Sequence, residues 1–311
     1  MKMLASVGQF CASAAVESNL ASCVDIIRQS AARGASMVFL PEASDFIAEN
    51  KDQALSLTES LDIGKFVAGL KDAAKTSNVW ISAGVHETSP FKDRLYNTHI
   101  VINAEGLIAS VYRKIHLFDV DIKDGPKLME SAGTVPGPTI VSPVETPIGK
   151  VGLMVCFDLR FPELSWLLRR RGADILTYPS AFTVPTGLAH WEPLIRARAI
   201  ETQCYVIASA LTGKHNPKRE SYGHAIIVDP WGQVIAHCSN TAAPTFAIGE
   251  IDLKYLNKIR MEMPVLNQRR DDLYQLAEVN GSGGPTDTSS SNGNVKKRAK
   301  VNEDSDVPQV I

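Results

Sequence analysis

A mixed, layered α/β domain is predicted for residues 1–278, and three observations predict it. Short apolar runs of strand length alternate with stretches of helical periodicity. Two clusters of turn residues, Asn103-Ala104-Glu105-Gly106 and Asp229-Pro230-Trp231-Gly232, sit between strand-like runs and add antiparallel hairpins to the sheets. The chain has 311 residues, of which 44% are hydrophobic and 21% charged. That is an ordinary globular mix, long enough to bury roughly three quarters of its unfolded surface.

Taken in order, residues 3–10 place Met3, Ala5 and Val7 on one face and Leu4, Gly8 and Phe10 on the other, the pattern of a strand buried on both sides. Helical periodicity over 16–33 leads to a strand at 37–40, a helix at 63–76 and a strand at 79–86, so the first half reads β-α-β-α-β. Strands follow at 98–102 and 107–112, on either side of the first turn cluster. An unbroken apolar run at 151–155 reads as a central strand, with a helix at 163–171 and a strand at 175–178 behind it. A helix at 190–202, strands at 205–208, 225–228, 234–237 and 246–251, and a helix at 253–260 complete the domain. Trp231 belongs to the second hairpin and is expected to pack.

Composition changes near residue 279. From there to residue 311 aromatics are absent, and Lys296, Lys297, Arg298 and Lys300 balance Asp287, Glu303, Asp304 and Asp306. Such a segment buries too little apolar surface to offset its ordering entropy, so 279–311 is expected to be a disordered tail. Its basic cluster resembles a nuclear localisation signal, although short basic runs in tails are usually just solvated.

Several function classes lose ground. Lysine and arginine number 32 against 34 acids, a net charge of 32 − 34 = −2, which provides no general attraction for nucleic acid or an anionic membrane. The longest apolar run, 151–157, falls far short of the roughly 18 residues of a membrane span. Ser6, Gly8 and Gln9 interrupt what could pass for a secretory leader. Five scattered cysteines fit free thiols in a reducing, intracellular setting, which points to the cytoplasm, with mitochondria or the nucleus as further locations. With no His-Glu-x-x-His, GxGxxG or GxxxxGK[ST] pattern, neither a metal nor a nucleotide cofactor is expected.

Cys156 falls in a strand-to-helix turn, because Pro162 and Glu163 suit a first helical turn just beyond it. Backbone N–H groups at such a place favour thiolate, although a buried cysteine can also be a small hydrophobe. Two more strand ends carry charge: Leu40-Pro41-Glu42 and Tyr112-Arg113-Lys114. Reacting groups gather at the carboxyl ends of strands in open α/β sheets, though each charge alone could simply terminate its strand in water.

Together these residues resemble the Glu-Lys-Cys triad of the nitrilase superfamily, the carbon-nitrogen hydrolases. The resemblance runs over residues 2–275 and includes Tyr112-Arg113-Lys114-Ile115-His116-Leu117-Phe118-Asp119, Cys156-Phe157-Asp158-Leu159-Arg160-Phe161-Pro162-Glu163 and Tyr178-Pro179-Ser180-Ala181-Phe182. It implies a four-layer αββα sandwich, a homodimer and a small-molecule amide substrate. It further implies that Glu42 is the general base for Cys156, with a pKa raised by desolvation, and that Lys114 and the Phe157 N–H hold the oxyanion. Glu130 is implied as a second glutamate that orients Lys114, and Arg160, Phe182 and Thr186 as substrate contacts: an arginine for a carboxylate, an aromatic wall and a hydroxyl. A salt bridge from Arg160 to Asp158 or Glu163 is the competing reading.

Within the superfamily the stretches 197–206 and 218–224 resemble the Nit branch, and inside it the group that hydrolyses deaminated glutathione, N-(4-oxoglutaryl)-L-cysteinylglycine, to 2-oxoglutarate and cysteinylglycine. Two alternatives stay open: an ω-amidase acting on 2-oxoglutaramate, and a signalling protein whose pocket binds a metabolite without turnover. The residues by themselves point only to amide hydrolysis.

Overall fold

Along β2 (Met37–Phe39) and the residue after it, Met37 and Phe39 enter one apolar core while Val38 and Leu40 enter another. Period-2 alternation with both faces apolar requires a strand covered on both sides. The structure, a computed structural model, describes residues 3–121, 127–241 and 243–278, and the expected disordered tail at 279–311 with its basic cluster lies outside the described residues.

The elements are β1 (Met3–Phe10), α1 (Val16–Ala32), β2, α2 (Lys51–Leu57), α3 (Lys65–Ser77), β3 (Trp80–Thr88), β4 (Leu95–Ile102), β5 (Ile108–Arg113), β6 (Asp119–Asp121), β7 (Lys127–Met129), β8 (Val144–Thr146) and β9 (Gly149–Leu153). They continue with α4 (Pro162–Arg170), β10 (Ile175–Thr177), α5 (Val184–Thr202), β11 (Tyr205–Ala208), β12 (Ala210–Asn216), β13 (Arg219–Tyr222), β14 (Ile226–Val228), β15 (Val234–His237), β16 (Thr245–Ile251) and α6 (Leu253–Glu262).

One sheet runs β13-β12-β1-β2-β3-β4-β5, with β16 also paired to β1, and the other runs β15-β14-β11-β10-β9-β8. Strands β1, β2 and β3 pair in parallel, as do β9, β10 and β11. Both turn clusters close antiparallel pairs, β4 with β5 and β14 with β15. Ile26 and Ile27 of α1 and Phe66 and Leu70 of α3 cover one face of the first sheet. Its other face sets Ala5, Val7, Met37 and Phe39 against Val151, Leu153 and Ile175 of the second sheet, whose far side, where Leu176 points, is covered by Leu164 and Leu168 of α4 and Trp191 and Ile195 of α5. The order is helix, sheet, sheet, helix, the αββα sandwich expected.

His99 of β4 bonds the Met154 carbonyl beyond β9 through Nδ1 at 2.9 Å and Ser82 Oγ through Nε2 at 2.6 Å. A carbonyl can only accept, so Nδ1 carries the proton, Nε2 accepts from the hydroxyl, and burial keeps the ring neutral with a pKa lowered to about 4.

Several features differ from expectation, and strands β6, β7 and β8 are short additions where none was expected. Helix α2 forms because Asn50 Oδ1 caps the Gln53 N–H at 3.0 Å. Helix α5 starts at Val184, six residues before 190, since Pro185 suits its first turn. Strands β12 and β13 fill a stretch where no strand was expected. Trp231 is 59% exposed rather than packed, because it occupies the tip of its turn, where its N–H bonds Asp229 Oδ1.

Candidate active site

Three strand ends supply the groups of the site: Glu42 follows β2, Lys114 follows β5 and Cys156 follows β9. Glu42 is held close to β3 because Gly84 lies opposite it, where a Cβ would stand 2.5 Å from the Glu42 Cα. The Gly84 N–H also bonds the Pro41 carbonyl, and the Ser44 N–H bonds the Gly84 carbonyl. Cys156 opens a short 3-10 turn, Cys156–Arg160, ahead of α4, and its φ of +44° is rare for a side-chain-bearing residue. That backbone is over-determined by its neighbours. The Cys156 N–H bonds the Pro179 carbonyl at 3.0 Å, and Arg198 of α5 donates to the Leu159 carbonyl from Nε and Nη2.

Asp158, fully buried, ties the cysteine turn to the lysine loop. Its Oδ2 accepts from Tyr112 Oη at 2.7 Å and the Val155 N–H at 2.8 Å, and its Oδ1 accepts from His116 Nδ1 at 2.7 Å and the His116 N–H at 3.2 Å. All four lone-pair directions of one carboxylate are therefore used.

The charged groups meet over short distances. Lys114 Nζ donates to Glu42 Oε1 at 2.9 Å and to Glu130 at 2.9 and 3.2 Å. Asn97 Nδ2 bridges the same two carboxylates, at 2.8 Å to Glu42 and 3.0 Å to Glu130, and its own buried Oδ1 has no partner among the described residues. The Ala181 N–H caps Glu42 Oε2 at 2.9 Å, and the Phe118 N–H caps Glu130 Oε2 at 2.7 Å. The Cys156 thiol lies beside Glu42, and each shifts the other's pKa. Lys114 is 2% exposed and Glu42 4%.

This geometry corrects two expectations. Burial pushes the Glu42 carboxyl up, but the Lys114 charge, the Cys156 thiol and Asn97 outweigh it, so Glu42 lies below the usual carboxylate range and rests ionised. Burial and then the Glu42 charge push the Cys156 thiol well up, more than Lys114 and the backbone can offset, so it rests protonated and not as thiolate. Burial would discharge Lys114, yet Glu130 and Glu42 raise it and keep the ammonium. The resting site thus holds a thiol, a carboxylate that can take its proton, and a fixed cation.

These groups form the floor of a cavity of about 340 Å³. The carbon-nitrogen hydrolase family signature matches residues 4–261. The chain belongs to the carbon-nitrogen hydrolase family. This hydrolase is 50% identical over 273 residues to a probable hydrolase, nit2, of Schizosaccharomyces pombe, covering 87% of this chain and 98% of that one. It is 48% identical to the human deaminated glutathione amidase, covering 83% of this chain and 79% of that one. Among solved structures it superposes on the Caenorhabditis elegans NitFhit protein with a TM-score of 0.86 at 43% identity, covering 92% of this chain and 69% of that one.

Of the site residues expected for this hydrolase, Glu42, Lys114, Cys156 and Glu130 line the cavity, whereas Phe157, Arg160, Phe182 and Thr186 do not. Phe157 packs edge-on against Phe118, a lining residue. The Arg160 guanidinium stands 5.9 Å from the Phe157 and Phe182 rings and 3.2 Å from His190 Nδ1. The competing salt bridge is not formed, because Tyr112, Val155 and His116 already occupy Asp158. Phe182 is turned into the core against Trp191, and the Thr186 hydroxyl bonds Thr183 inside the first turn of α5. Sequence reasoning missed Asn97, Thr183, Lys51 and Arg219 as lining residues. Asn97 was detectable as an amide within an apolar strand run and Lys51 through the Asn50 cap; Arg219 offered no local signal.

Proposed function

We propose that this hydrolase cleaves the amide of deaminated glutathione through a thioester on Cys156. The observation that carries the reading is that one ionised carboxylate, Glu42, touches both the thiol and the ammonium at the cavity floor. Glu42 takes the thiol proton as sulfur attacks the amide carbon, so the charge that leaves sulfur builds on the carbonyl oxygen. Lys114 and the Phe157 N–H stabilise that oxyanion, and Glu130 holds the ammonium in place. Glu42 then gives its proton to the leaving nitrogen, cysteinylglycine departs, and water deprotonated by Glu42 cleaves the thioester to free 2-oxoglutarate. The choice of substrate is supported by the human relative at 48% identity whose name states that activity.

The proposal includes homodimeric assembly, a catalytic domain over 1–278 and a cytoplasmic location. No helix among the described residues is long and apolar enough to cross a membrane.

The test is rapid-quench mass spectrometry with deaminated glutathione, alongside 2-oxoglutaramate and a simple nitrile. A 2-oxoglutaryl adduct on Cys156, absent in a folded Cys156→Ala variant, is expected, with the fastest turnover on deaminated glutathione. Substantial turnover by Cys156→Ala would remove the mechanism, and faster turnover of 2-oxoglutaramate would replace the substrate.

A further inference from the structure

Resting on that amidase reading, we infer that Arg219 binds the carboxylate of the leaving group and thereby selects an acyl-dipeptide over a small amide. Among the described residues, four basic side chains line the cavity: Lys51, His86, Lys114 and Arg219. Three are engaged. Lys51 donates to the Ala132 carbonyl at 3.0 Å and faces Asp93 at 3.8 Å, His86 bonds Asp45 at 2.9 Å, and Lys114 is taken up by Glu42 and Glu130. The half-buried Arg219 guanidinium makes no hydrogen bond or ion pair with any described residue, and Glu49, the remaining acid on the wall, does not pair with it. A planar fork of donors partly removed from water, with no partner among the described residues, suits a bidentate carboxylate.

The wall between the nucleophile and Arg219 gives the direction. Pro179 receives the Cys156 N–H, Ala181 caps Glu42, and Thr183 pairs with Ser221, two residues from Arg219 on β13. Glu42 must protonate the leaving nitrogen, so the leaving group lies beside Ala181, and further along the wall comes Arg219. The hairpin is rigidly seated. His215 bonds Ser221 Oγ and the Ala12 carbonyl, each at 2.8 Å, the Tyr222 N–H bonds the Phe182 carbonyl, and the Tyr222 ring fills the space left by Gly187, where a Cβ would stand 2.2 Å from it. Ammonia, the leaving group of 2-oxoglutaramate, has nothing to offer Arg219.

The experiment is a thermodynamic cycle between Arg219→Met and removal of the substrate charge, using deaminated glutathione and its C-terminal glycinamide. With the acid, Arg219→Met is expected to raise KM about 10- to 100-fold and to change kcat by less than about threefold, the loss typical of one charge-assisted hydrogen-bonded pair. With the glycinamide, the parent enzyme already shows the high KM and the variant adds nothing. Arg219→Lys restores part of the affinity for the acid only. Equal KM values for parent and variant on the acid, or equal losses on acid and glycinamide, overturn the assignment. A parent enzyme inert toward deaminated glutathione removes the amidase reading and this inference together, whereas an active parent with an indifferent variant removes the inference alone.

Discussion

Lys114→Met replaces a buried ammonium by an apolar chain of similar length. In the parent, the ammonium donates three hydrogen bonds of 2.9 to 3.2 Å to Glu42 and Glu130, and Asn97 is the other side chain that bridges the two. Without Lys114, two carboxylates share one dry site, the burial that now loses to Lys114 prevails at Glu42, and one of the pair must take up a proton. Breaking a buried ion pair from one side costs about 3–5 kcal/mol. The sign with pH follows: an acid whose folded pKa is raised destabilises above its unfolded value, so the deficit relative to the parent narrows as pH falls toward 4.5 and is full at neutral pH. Lys114→Met/Glu130→Gln removes one of the two like charges and regains roughly 2 kcal/mol of the deficit, within the worth of a charged hydrogen bond. Turnover does not return, because loss of an oxyanion donor costs about 10²–10³ in rate and the protonated Glu42 no longer accepts the thiol proton. Urea unfolding from pH 4.5 to 8 and initial rates on the same samples read both effects. A deficit independent of pH, equal stability loss in single and double variants, or more than a tenth of parent turnover would refute the electrostatic account.

Two further outcomes rest on the same site. The pH profile of kcat/KM is expected to show its acid limb below the ordinary carboxylate value of 4.5, where Glu42 finally protonates, and no rise near the ordinary thiol value of 9.0, since attack draws on the thiol and not on a pre-formed thiolate; a limb at 9.0 that disappears in Cys156→Ser would contradict this. Asp158→Asn keeps the size but can satisfy only part of the four donors now held, so stability is expected to fall by about 2–4 kcal/mol and kcat at least tenfold with KM nearly constant, read by urea unfolding and steady-state rates; unchanged kcat would show that the cysteine turn does not depend on it.

What was legible from the chain alone was whatever neighbours within a few residues decide. Alternation at Met37–Phe39, the apolar run into Cys156, the Pro162 helix start and the two hairpin turns are local patterns, and they determined the layered α/β class and the strand ends that carry Glu42, Lys114 and Cys156. Tertiary structure decided what depends on distant partners. At Ser209, whose hydroxyl bonds the Leu40 carbonyl, the chain leaves β11 in one sheet and enters β12 in the other, and that crossing carries the β12–β13 hairpin and Arg219 to the cavity wall. No residue near 209 encodes such a switch, because either sheet would satisfy the same short apolar run. Arg160, by contrast, had the right charge in the right motif and lies against aromatic rings outside the cavity. The protonation states of Glu42 and Cys156 were equally out of reach: each is set by burial together with through-space charges from residues 72 and 114 positions apart along the chain, and such sums exist only once the strands have brought those residues within 3 Å of Lys114 or in contact with each other.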